Sequence, residues 1–160
     1  MEDSLKESGT SATRILPNSV HPAGSAEESI MLALCHCCRG KMEFDWTEGN
    51  LAEGLRLYHA GEFFTAHEAW EIVWLTSPEP EKTFLQGLIQ VTAAFHHLRR
   101  DNPLGTLLLL QAALRRLDRY PEFFGGVAVR VLCDDIRERL RILEIGHGVS
   151  QLVSPRIRTS

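Results

Sequence analysis

The chain has 160 residues, 44% apolar and 24% charged, and its 17 basic and 21 acidic side chains give a formal net charge of −4. That length suits one compact core, and the composition excludes wholesale disorder, a collagen-like repeat and a coiled coil. No block of Lys or Arg concentrates positive charge, so no nucleic-acid partner is expected.

Residues 1 to about 45 are rich in Ser, Glu and Gly and show no sustained period, which predicts a loosely ordered N-terminal extension. Its apolar run Ile30 to Cys38 follows an acidic leader. It is too short for a membrane span of about twenty residues and lacks the positive flank of a signal peptide, so no membrane association is expected. Cys35, Cys37, Cys38 and Cys133 do not form the spaced framework of a small secreted protein, and a cytoplasmic, reducing location follows. Cys35-His36-Cys37-Cys38 is too crowded for one tetrahedral metal site, and free thiols are expected there.

The periodic part starts near Trp46. Asn50 and Glu53 read as a capping box, Leu51, Leu55 and Tyr58 recur at helical spacing, and Gly61 is a C-terminal stop. A second helix spans about Glu62 to Leu75 and stops before Ser77-Pro78-Glu79-Pro80. The third runs from about Glu81 to Arg100. Asn102-Pro103 then opens a fourth, with Leu107, Leu110, Leu114 and Leu117 as its stripe. Beyond Pro121 and the flexible pair Gly125-Gly126, a fifth helix carries Val129, Leu132, Ile136, Leu140 and Leu143 and ends at Gly146. No segment alternates long enough for a strand. The expected fold is all-α, about five helices in antiparallel hairpins over 46–146, with 147–160 as a C-terminal tail.

From Thr83 to Leu98 the third helix contains no Asp, Glu, Lys or Arg, the mark of a helix buried on most sides. Yet Gln86, Gln90 and His97 fall on one stripe of it, next to His96. Buried without partners, such groups cost about 1–3 kcal/mol each. The second helix offers partners in His67-Glu68-Ala69-Trp70-Glu71, whose His and second Glu lie four apart on one side. A polar pocket between the second and third helices is therefore expected.

Two readings of that pocket stay open. In one, His67, Glu71 and His97 hold a divalent metal (Zn, Mn or Fe) and Glu68 is the general base toward a bound water, as in the related H-E-x-x-H pattern of zinc hydrolases. In the other, the same residues form a structural hydrogen-bond network without metal or turnover, in a non-catalytic homodimer or adaptor. Gln86, Gln90, His96, Trp74 and Tyr58 are the pocket-lining candidates, although aromatics at helical spacing equally read as core. The interleaved Arg and Asp of residues 115–141 read as a solvated face.

The run Gly61-x-Phe63-Phe64-x-Ala66-His67-Glu68, with Trp74, Gly87-Leu88-Ile89-Gln90, His96-His97 and the Asn102…Gly105 turn, resembles the family catalogued as domain of unknown function 309 over roughly residues 50–118. The resemblance implies a small all-helical fold, and members are sometimes labelled predicted metal-dependent hydrolases. His67, Glu68, Glu71, Gln90 and His97 match its signature positions, while Thr106 stands where the family usually has Ala. Gly54, Tyr58, Ala66, Trp70 and Pro78 also resemble a single tetratricopeptide unit, which implies hairpin geometry for the first two helices.

Overall fold

A computed structural model describes residues 44–146 and 149–159. The expected N-terminal extension and its Cys35, Cys37 and Cys38 fall outside these residues, except for Phe44 and Asp45. Five α-helices follow in chain order: α1 (Gly49–Ala60), α2 (Phe63–Thr76), α3 (Glu81–Leu98), α4 (Pro103–Leu117) and α5 (Val129–Ile145). Consecutive helices pack on one another, with α3 lying between α2 and α4.

The caps show why the elements begin and end where they do. Gly61 closes α1 in the left-handed conformation, at φ 82°, and its N–H meets the carbonyls of Leu57 and Tyr58. Asn102 caps α4 by accepting the Gly105 N–H at 2.8 Å. The capping box expected at Asn50 does not form. Instead α1 begins at Gly49 after an extended Glu48 with no side-chain cap, and Glu53 pairs with Arg56 at 2.7 Å.

The charge-free α3 fills the centre, where Phe84, Leu85, Leu88, Val91 and Ala94 are fully buried. From α2, Ala66 and Trp70 reach the same core; Leu110, Ala113 and Leu117 reach it from α4. The α1–α2 hairpin closes tightly because Gly54 has no side chain. A Cβ there would lie 2.3 Å from Trp70 Nε1, and that indole donates to Leu51 O at 3.1 Å.

One small sheet departs from the all-helical expectation. Phe123–Phe124 (β1) pairs antiparallel with Val127–Ala128 (β2), joined by Gly125 and Gly126 at φ 54° and 78°, the positive values that a tight hairpin of this hand requires. Two residues per strand are too few for an alternating pattern to register in sequence. The C-terminal segment is bound to the domain: Pro155 and Ile157 are buried, Val127 bridges Thr159, and Tyr58 donates its hydroxyl to Pro155 O at 2.7 Å. Burial pushes the Tyr58 phenol well above its ordinary range.

Gly54→Ala is expected to destabilise the protein by about 1–3 kcal/mol, because the new methyl must displace a fully buried indole. Urea unfolding should show a lower midpoint at unchanged slope.

Candidate functional site

The sequence-predicted residues separate into three groups. His67 of α2 meets His96 and His97 of α3 around a half-open cavity of about 160 Å³, floored by Phe63, Phe64 and Ala93. His67 Nδ1 lies 3.9 Å from Glu71 Oε2, and both side chains are substantially exposed, at 31% and 48%. Glu68 is exposed to solvent. At 100° per residue it lies nearly opposite Ala66 and Trp70, the residues that α2 buries.

Gln86 and Gln90 do not face α2. They are half-buried beside α4, where Arg116 donates from Nε to Gln86 Oε1 at 3.3 Å and from Nη1 to Gln90 Oε1 at 3.1 Å. Tyr58 is in the core, stacked on Trp70. Trp74 sits at the far end of α2 with Lys82 Nζ 4.9 Å from its ring centroid. Its buried Nε1 has no partner among the described residues. Neither aromatic borders the histidine cavity.

His97 is held from α4. Its Nδ1 is 2.9 Å from Asn102 Nδ2, and because Asn102 Oδ1 already accepts the Gly105 N–H, the Asn102 amide presents its NH₂ to the ring. Nδ1 therefore accepts, and the neutral imidazole carries its proton on Nε2. Gly105 makes the approach feasible, since a Cβ there would lie 2.9 Å from His97 Nδ1. Thr106, where an Ala is usual by resemblance, is fully buried with its hydroxyl 3.1 Å from Ala94 O and 2.9 Å from Asn102 O. It adds a polar tie between α3 and α4 that Ala cannot make.

Beside the cavity, Arg99 donates to Gly61 O and Arg100 Nη1 approaches His96 Nε2 at 3.5 Å. Desolvation first, then the Arg100 charge, holds the His96 imidazole below its ordinary value.

Metal-binding histidines bind through a deprotonated nitrogen and donate the other N–H to an acceptor. His97 has the opposite arrangement, with Nδ1 accepting from the Asn102 amide and the ring proton at Nε2. Among the described residues, no group of three or more His, Cys, Asp or Glu side chains is placed to hold a metal ion. The positions as they stand do not fit a resident metal. None of the described helices is long and apolar enough to cross a membrane.

A family model described as "Domain of unknown function (DUF309)" matches residues 51–109. Over these residues the chain is similar to that family. The DUF309 match covers α1 to the first half of α4 and so includes every residue around the histidine cavity. The chain is also 31% identical over 98 residues, 61% of its length, to an "Uncharacterized protein" of Aquifex aeolicus (strain VF5). It spans 29% of that relative's length.

Arg116 is the site residue that the sequence did not single out, and Asn102, legible as a helix cap and as part of the resembling turn, was not paired there with His97. Arg116 was hidden in an apparently solvated run, although its spacing from Gly105 and Ala112 places it on the α3 side of α4. Arg116→Leu should cost about 1–3 kcal/mol in chemical denaturation, since it leaves two half-buried amides unpaired. The lowered His96 value makes the unfolded chain bind more protons just below pH ~6.5. Its contribution to stability is therefore present above that pH and is lost as pH falls through the window below it. In an NMR titration, Arg100→Gln should raise the His96 midpoint toward the ordinary imidazole value.

Proposed function

We propose that the protein is a cytoplasmic, non-catalytic helical interaction module in which the His/Gln signature sets the register of α2, α3 and α4. The observation that supports this most is the origin of the partners: Gln86, Gln90 and His97 all bond to α4, through Arg116 and Asn102. Each bond spends the polar capacity of a signature residue on the fold. Glu68 and Glu71 remain at the surface, where a partner can reach them.

One observation favours the second reading. His67, His96 and His97 border a single cavity, as a hydrolase using His67, Glu71 and His97 for Zn, Mn or Fe and Glu68 as base would need. Against it stand the exposure of both carboxylates and the donor at His97 Nδ1. Freeing Nδ1 to donate would require turning the Asn102 amide away from Gly105, at the cost of an N-cap worth about 1 kcal/mol.

Elemental analysis of untagged protein separates the two. The module reading expects no stoichiometric Zn, Mn or Fe and no thermal shift on adding them, and Glu71→Gln within about 0.5 kcal/mol of the parent in stability. Stoichiometric metal that disappears in His67→Ala would overturn it.

A further inference from the structure

The histidine cavity continues into a second hollow. The first, about 160 Å³, is lined by Phe63, Phe64, Ala93 and the three histidines; the second, about 310 Å³, adds Arg99 and Arg100 from the turn that follows α3. Both are bordered by Phe63, Phe64 and His96, so they form one trough, divided where the Phe64 and His96 rings approach to 5.5 Å between centroids. Phe64 is 58% exposed there, a large ring that α2 does not bury in the core.

The two ends differ in chemistry. At the histidine end the floor is apolar, and its volume is close to the roughly 150 Å³ of a cavity that admits a benzene ring. At the other end the arginines carry the charge. Among the described residues neither pairs with a carboxylate. Arg99 donates to Gly61 O and lies 6.0 Å from the Phe63 ring centroid, while Arg100 Nη1 lies 3.5 Å from His96 Nε2. Glu62, the acid that lines this end, is exposed to water. Behind desolvation, every charged neighbour that lowers the His96 value is basic: Arg100, His97, His67 and Arg99. Such surroundings attract an anion and repel a metal cation.

We propose that this trough binds a small aromatic carboxylate, with its ring between Phe63, Phe64 and Ala93 and its carboxylate on Arg100. Ala93 and Arg100 are about 10 Å apart along α3 and the turn after it, a span that suits a ring and an acid joined by a short alkyl stem. A charge-assisted bond to the guanidinium anchors the acid, and packing against Phe64 holds the ring. The inference goes beyond the interaction-module reading and uses none of the bonds that Gln86, Gln90 and His97 make to α4.

The test is a titration of the full chain with 3-phenylpropionate in EDTA, followed by calorimetry and by ¹H–¹⁵N NMR. A Kd of about 0.5 mM is expected for a ligand of this size, with shifts at Phe64, His96 and Arg100. The alcohol 3-phenylpropanol and acetate each lack one half of the recognition and should bind at least about tenfold more weakly. Arg100→Gln and Phe64→Ala, both at exposed positions, should each weaken binding about five- to tenfold with unchanged circular dichroism. No binding up to about 10 mM would overturn the proposal, as would 3-phenylpropanol binding as tightly as the acid or an affinity indifferent to both variants. Binding that appears with zinc and is absent in EDTA overturns it and favours the metal reading; tighter binding of a glycyl-glycyl-phenylalanine tripeptide overturns it in favour of a peptide C-terminus. A metal-free chain that ignores 3-phenylpropionate removes this inference and leaves the module reading standing.

Discussion

A central helix without charge must still satisfy its amides and imidazoles, and α4 supplies the partners. Arg116 serves Gln86 and Gln90 near one end of the pair, and Asn102 serves His97 near the other. Because Asn102 Oδ1 also caps α4, a single side chain fixes the helix start, the turn and the ring's tautomer. Thr106 reinforces the same corner through the carbonyls of Ala94 and Asn102. Unmade, the buried or half-buried bonds among these, those of Arg116 and Thr106, would cost about 1–3 kcal/mol each, large against a total stability of about 5–15 kcal/mol.

The consequence for α2 is a division of labour around its circumference. Phe63, Ala66 and Trp70 enter the core, His67 reaches the cavity, and Glu68 and Glu71 turn to water beside exposed Phe64 and Leu75. Acids placed so far out gain little from neighbours inside the domain: the 3.9 Å approach of His67 to Glu71 is a solvent-exposed contact, of a kind worth about 0–1 kcal/mol.

Much of this was legible in the sequence because helix punctuation is local. Gly61, Asn102-Pro103 and Gly146 mark their boundaries through the backbone geometry they favour, and the uncharged run from Thr83 to Leu98 marked the helix that would be most buried. The Asn50–Glu53 signal failed because Glu53 has a competing partner one turn on in Arg56. The β-hairpin was illegible for want of length. Its turn is held by Phe44 against Gly125 and by Trp46 Nε1 donating to Gly125 O at 2.6 Å, contacts about eighty residues apart in sequence.

The site was legible in membership and not in pairing. Spacing put Gln86, Gln90 and His97 on one stripe, but a stripe does not say which neighbour faces it, and the choice of α2 over α4 required tertiary knowledge. Spacing alone did contain the exposure of Glu68, opposite Ala66 and Trp70. The most direct test of the account is the protonation pattern of the His97 ring, read by long-range ¹H–¹⁵N NMR on the full chain near neutral pH. The account predicts a proton on Nε2, a bare Nδ1, and no change when zinc is added. A proton on Nδ1 with Nε2 free, or an Nε2 signal shifted by one equivalent of zinc, would contradict it.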